Sequence, residues 1–405
     1  MLTYFVNLSH HWESKLWRRP AFQSLVTALQ QAMPVIAVDI YLRLAIKLIL
    51  APNALIVKLF KINPAPFKTF FAYMVTFLSL ADVAAVLIFV AALTYQYLTH
   101  LGHRDTSLPL LTNCLAVFLF FGDKTQAPIF SMTQYFVITL ITLFSSYAYH
   151  QYCAHAHYHA SNPYSLPYLI WSGMIIIISL FLHQIFRQHV FEFFLSDIWT
   201  QKFFATALGL LIMTTVAPLL YLLGVTLPPE LAAPSPNMYG VSSNLHAFLS
   251  TGQSALPTPE NVYTTYGAFT LFGGVGNTLA ICLLLLFSAS KQQRHIARIS
   301  WLPSLFDSSY ILFVGLPLFF NPLFIIPMIL VNLMSLVLSY LAIWTHFIQP
   351  IVFVAPDGLP NILLPSIASP TPIRATIVTV VIFALSVLIY RPFLSHITLE
   401  VPHEN

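Results

Sequence analysis

The stretch ILFVGLPLFFNPLFIIPMILVNLMSLVLSYLAIWTHFI, Ile311 to Ile348, decides the fold class of this chain. It carries no Asp, Glu, Lys or Arg over a length that exceeds the roughly 20 apolar residues a membrane-spanning helix needs. Yet Pro317, Pro322 and Pro327 each remove a backbone donor and bend or break a helix. The pattern predicts a broken or hairpin element, then a full span from about Pro327 onward. Non-helical backbone at membrane depth persists only where it is buried in protein or lines a watery cavity, so this punctuation points to a substrate pathway.

The next region, Gln349 to Pro372, repeats the device: Pro350, Pro356, Asp357, Gly358, Pro360 and Pro365 interrupt apolar sequence. On either side, apolar runs long enough to span cover Thr69–Leu98, Pro128–Tyr149, Leu166–Phe186, Phe203–Leu227, Val262–Ala289 and Ala375–Phe393. Pro109 to Phe121 is short and precedes Asp123 and Lys124, which reads as a partial or re-entrant element. Leu25 to Val57 carries Asp39, Arg43 and Lys47 four residues apart, sharing one helix face that must point into the bundle, toward water or toward headgroups. Basic residues flank this stretch on both sides, so the positive-inside rule gives it no orientation.

Bulk composition agrees. Of 405 residues 58% are hydrophobic and 7% charged, where a soluble domain carries about a quarter charged residues. The length allows on the order of ten spans. The expected architecture is an all-α polytopic membrane protein, one membrane domain over residues 1–405, with an interfacial amino-terminal helix over 1–20 and a polar loop over 228–261. Trp12, Lys15, Trp17, Arg18 and Arg19 give the amino terminus the Trp and Arg mixture of an interfacial helix rather than a cleaved signal. The net charge of +4 is scattered or sits at segment ends, which fits membrane anchoring and argues against nucleic acid. Lys291, Arg294 and Arg298 mark their loop as cytoplasmic. Cys114, Cys153 and Cys282 form neither a disulfide framework nor a CxxC metal motif. His150, Cys153, His155, His157 and His159 crowd one segment but fit no standard metal site, so an interfacial reading is preferred and neither metal nor cofactor is expected.

Four segments carry a family resemblance. FGGVGNTLAI, Phe272 to Ile281, resembles a glycine-rich GGxGxTL segment, and PSLFDSSYILFVGLPLFFNPLFIIPMIL, Pro303 to Leu330, resembles a GLP followed by NP and an apolar IP. VAPDGLPNILLPSIAS, Val354 to Ser369, is similar to a Pro-bounded hairpin, and ALSVLIYRPFL, Ala384 to Leu394, to a last helix. The amino-terminal half fits more loosely, through AFQSLVTALQQAMPVIAVDIY, Ala21 to Tyr41. Together, in this order, they resemble enzyme IIC of the lactose and cellobiose (chitobiose) class of phosphotransferase systems. The resemblance implies a homodimeric permease subunit of the bacterial inner membrane that holds a small saccharide near the midplane. A phosphorylated IIB protein, a separate chain, would supply the phosphoryl group.

It also implies a site, and here the sequence departs from the pattern. Tyr310 stands where the family has a sugar-binding Glu, Thr226 where it has a His, and Asp357 where its hairpin carries a Trp. Tyr offers one hydroxyl and cannot easily replace a carboxylate. The expected substrate-contacting set is Thr226, Gly273, Gly274, Asn277, Asp307, Tyr310, Asn321 and Asp357. For Gly273, Gly274, Gly276 and Asn277 helix packing competes with ligand contact. For Asp307 and Asp357 helix capping or exposure to a watery mouth competes with it. The altered positions leave a second reading open, a IIC-derived sensor or scaffold without phosphoryl-transfer coupling. A third is an ion-driven carrier using Asp39, Asp82 or Asp357.

Overall fold

The computed structural model describes residues 2–51, 54–61, 63, 66, 68–121, 135–155, 166–186, 201–225, 227, 229–235, 238–251, 256–356 and 358–395. Among them the secondary structure is helical, with no sheet. The helices are α1 Leu2–Trp17, α2 Pro20–Ala45, α3 Leu55–Leu59, α4 Lys68–His100, α5 Ser107–Phe121, α6 Tyr135–His155 and α7 Leu166–Phe186. They continue as α8 Ala207–Leu222, α9 Pro229–Ala232, α10 Val241–Thr251, α11 Leu279–Leu286, α12 Lys291–Leu305, α13 Tyr310–Gly315, α14 Ile325–Trp344, α15 Leu364–Ala368 and α16 Pro372–Leu394.

This is an all-α membrane protein. Four helical stretches among the described residues are long and apolar enough to cross a membrane: α4, most of α7, Pro322–Trp344 and α16. Their outer faces would be untenable in water: Ile177, Phe181 and Ile373 are 67%, 66% and 76% exposed. Polar side chains turn inward instead. Asn113 of α5 donates to Thr94 Oγ1 of α4 at 3.0 Å and to Ser146 Oγ of α6 at 2.9 Å, and accepts from Ser145 Oγ at 2.6 Å. Without a hydrophobic force between helices in lipid, such contacts and close packing hold the bundle together.

The amino-terminal bundle packs α2 on α4, and α5 on α4, α6 and α7. Pro109 to Phe121, read from the sequence as a partial element, is the body of the 15-residue helix α5. α2 runs through Pro34 and passes into a wider turn, Ile46–Leu50, which ends at Ala51, where the backbone turns extended. Of the three charges placed on one face, Arg43 pairs with Asp39 (Nε to Oδ2, 2.7 Å) and also with Asp82 of α4, whereas Lys47 lies exposed on the wide turn.

At one end of the bundle, in the loop between α4 and α5, His103 Nε2 and His150 Nδ1 lie 2.9 Å apart. Only the side chain of His150 belongs to the described part of the histidine-rich segment; those of Cys153 and His155, and all of His157 and His159, lie outside it. Burial, with His150 alongside, holds the His103 imidazole below its ordinary value near 6.5. Protons therefore bind this residue more readily in the unfolded chain, so the contribution of the His103 imidazole is full above pH 6.5 and falls away as pH drops through its depressed folded value. We expect the thermal midpoint to decline between pH 7.5 and 5.5 and His103→Gln to flatten part of that slope, as read by a pH series of melting curves.

The carboxy-terminal half agrees with the sequence in one broken element and departs from it in another. Ile311 to Ile348 divides as the prolines dictate: α13 ends at Gly315, a turn follows, Asn321 caps the short helix Pro322–Phe324 through Leu323 N at 2.9 Å, and α14 then spans. Val262 to Ala289, expected as one span, is not one. It opens on a wide turn at Tyr263–Gly267, passes through irregular backbone, and becomes helical again only at Leu279. Gly273, Gly274, Gly276 and Asn277 all have positive φ there, at 79°, 110°, 81° and 50°. Phe203 to Leu227 is also shorter than expected, with its helix confined to Ala207–Leu222.

Candidate functional site

Two largely irregular segments meet in the carboxy-terminal half: the glycine-rich loop over 270–278 and the Pro-bounded segment over 349–356 and 358–363, which ends in the short 3-10 helix Asn361–Leu363. A helix satisfies its own backbone; an irregular loop inside an apolar scaffold must find partners elsewhere. Asp307 supplies them. It sits in the turn between α12 and α13 with φ +66°, and its Oδ1 accepts from Gly273 N at 2.9 Å while its Oδ2 accepts from Asn361 N at 2.8 Å. One carboxylate thus clamps both segments together. Asn361 closes the joint from the other side, donating through Nδ2 to Leu271 O at 3.2 Å.

Asn277 does comparable work within the loop. Its Oδ1 accepts from Phe272 N at 2.9 Å, and its Nδ2 donates to Ser335 Oγ of α14 at 3.0 Å and Ser386 Oγ of α16 at 3.2 Å. Tyr390 of α16 donates to Gly276 O at 2.5 Å, and Thr278 Oγ1 to Gly273 O at 2.6 Å. Gly274 brings its Cα against Ser309, whose Oγ would lie 2.8 Å from any added Cβ. The hairpin rests on the wide turn after α2: Gly358, at φ +87°, faces Leu48, and a Cβ there would meet Leu48 Cδ2 at 2.9 Å.

Beside this joint lies an aromatic group. Tyr221 of α8 shares a hydrogen bond with Ser309 Oγ at 2.8 Å, and its ring centroid lies 6.0 Å from that of Tyr310, 4.6 Å from Phe313 and 5.9 Å from Phe319. Phe136 N of α6 donates to Gly224 O at 3.1 Å, and Phe320 N to Leu222 O at 2.7 Å, drawing the end of α8, the start of α6 and the turn after α13 into one place.

Of the predicted set, Gly273, Gly274, Asn277 and Asp307 therefore come together, with Tyr310 near them across Ser309 and Tyr221. Asn321 stands apart: its Nδ2 donates to Glu13 Oε1 of α1 at 3.1 Å. Glu13 is 1% exposed, and burial pushes its carboxyl up while the Asn321 amide opposes that shift. Thr226 and Asp357 lie outside the described residues. Sequence reasoning missed Glu13, Tyr135, Tyr221, Ser309, Asn361 and Tyr390. Polar residues inside apolar runs were the signal available for several of them, but their partners lie far away in sequence. Among the described residues no three His, Cys, Asp or Glu side chains gather as a metal site would require.

No family model matches the chain. It does match curated proteins. It is 29% identical over 130 residues to the cellobiose-specific EIIC component of the PTS system of Lactococcus lactis subsp. lactis (strain IL1403), covering 32% of this chain and 26% of that one. This chain is similar to phosphotransferase IIC components of the cellobiose class. A second cellobiose-specific EIIC component, from Geobacillus stearothermophilus, is 31% identical over 159 residues, 38% of this chain and 35% of its own. The lichenan permease IIC component of Bacillus subtilis (strain 168) is 26% identical over 123 residues, 30% and 27% of the two chains. The matches thus span about a quarter to a third of these relatives' lengths. A solved structure, the transporter ChbC, the IIC component from the N,N'-diacetylchitobiose-specific phosphotransferase system, aligns with TM-score 0.42 and 20% identity over 94% of each chain.

Proposed function

We propose that this chain is the membrane permease subunit of a sugar phosphotransferase system, binding a small saccharide and translocating it for phosphorylation by a separate IIB partner. The observation that carries the reading is the joint at Asp307. Two irregular segments, expensive to bury, are held against each other inside a helical membrane scaffold by a carboxylate and backbone amides. Transporters place their substrate sites at such interruptions. The named relatives are PTS EIIC components and a permease, which supports transport over the sensor alternative. In this reading the protein works as a homodimer in the bacterial inner membrane, and the phosphoryl donor residue lies on the IIB chain. Thr226, Gly273, Gly274, Asn277, Asp307, Tyr310, Asn321 and Asp357 are the proposed saccharide contacts or their supports.

Tyr310→Glu with Thr226→His tests the assignment of the altered positions. If they face the saccharide, the double variant shifts uptake at least severalfold, up or down, in a strain depleted of its own sugar permeases. Uptake identical to that of the unaltered chain removes both residues from the site.

A further inference from the structure

We propose that Asp39, Asp82 and Tyr135 form a binding site for saccharide hydroxyls, supplying the carboxylate acceptors that Tyr310 lacks; this rests on the permease reading above. Arg43 engages one oxygen of each acid, Oδ2 of Asp39 and Oδ2 of Asp82. The remaining oxygens, Asp39 Oδ1 and Asp82 Oδ1, are buried and have no hydrogen-bond partner. One guanidinium between two carboxylates orients both without using up their capacity to accept.

The hydroxyl of Tyr135 is the independent third member. Tyr135 is fully buried, its hydroxyl also has no partner, and it lies close enough to Asp82, Tyr310 and Asp39 to interact electrostatically with all three. A purely structural ring would be better served by Phe here, because a buried hydroxyl without a partner destabilises the folded state. The ring packs edge-on against Phe89, with centroids 5.1 Å apart, and lies 5.6 Å from Phe319. The next residue, Phe136, bonds to Gly224, two positions before Thr226. Three unpartnered polar atoms thus belong to side chains within electrostatic reach of one another, with Tyr310 beside Tyr135. Two acceptors and a phenol that can donate or accept match neighbouring hydroxyls on a pyranose, with phenyl rings alongside as apolar walls.

The test uses the full chain purified in detergent, with tritiated cellobiose and then a panel of disaccharides as probes. Tyr135→Phe removes only the unpartnered hydroxyl, so its melting midpoint should hold or rise while saccharide affinity falls at least tenfold. Asp82→Asn should weaken binding at least as much; should it fail to fold, Tyr135→Phe decides alone. Unaltered binding by folded Tyr135→Phe overturns the proposal and leaves the permease reading intact. Stabilisation by sodium chloride that disappears in Asp82→Asn while sugar affinity stays constant makes this a cation site and also overturns it. An unaltered chain that binds no saccharide of the panel removes the permease reading, and this inference with it.

Discussion

Replacing Asp307 with Ala is expected to cost about 2–6 kcal/mol, because it strands two buried backbone amides at roughly 1–3 kcal/mol each. Those amides belong to Gly273 and Asn361, which lie on different segments, so the loss is not confined to one loop. With the clamp gone, the glycine-rich loop and the hairpin are tied chiefly by Asn361 Nδ2 on Leu271 O. Asp307→Asn should cost about half as much, since the amide keeps one acceptor for one of the two donors. Thermal unfolding in detergent ranks the three proteins: unaltered, Asn, Ala. Saccharide uptake should fall in the same order and be close to background for Ala. A midpoint for Ala within 1 °C of the unaltered chain would mean that the two segments do not depend on this carboxylate.

Gly273→Ala should be comparably damaging, for a different reason. Gly273 sits at φ +79°, a region that disfavours an L side chain by about 1–2 kcal/mol. An added Cβ would also lie 2.5 Å from Leu279 N and 2.6 Å from Leu279 Cβ, at the start of α11. The nearest of these atoms is backbone, so α11 itself must move; forced repacking of this kind costs about 1–3 kcal/mol more. Gly102 provides the control: it too has positive φ, 88°, but a Cβ there would meet nothing within 4 Å. Gly102→Ala should therefore show the conformational cost alone. Equal melting midpoints for the two variants would contradict the close approach at Gly273.

The unequal legibility of the carboxy-terminal half has a physical cause. In Ile311 to Ile348 the interruptions are prolines, which act through their own backbone and are visible in any context. In Val262 to Ala289 the interruption is made by Gly273, Gly274, Gly276 and Asn277, and glycines in an apolar run serve helix packing as readily as they serve a loop. What decides between the two is whether partners exist for the freed backbone groups. Those partners, Asp307 and Tyr390, are remote in sequence, as are Ser335 and Ser386, which hold the Asn277 side chain. The Asp39–Arg43 pair could be read from its spacing of four residues, whereas Asp82 reaches the same guanidinium from another helix with no sequence signal. Asp307 is legible as an acid inside apolar sequence. Its role as a clamp depends on the hairpin amide at Asn361, which no local pattern announces.

The permease reading is tested most directly by uptake in proteoliposomes holding the full chain, with a phosphorylated cellobiose-class IIB protein supplied on one side and labelled cellobiose on the other. Label is expected to cross and be recovered as the sugar phosphate, and transfer to stop when the IIB protein is unphosphorylated or Asp307 is replaced by Ala. Failure of every disaccharide tried to cross, or accumulation of unmodified sugar at the same rate without the IIB protein, would contradict it.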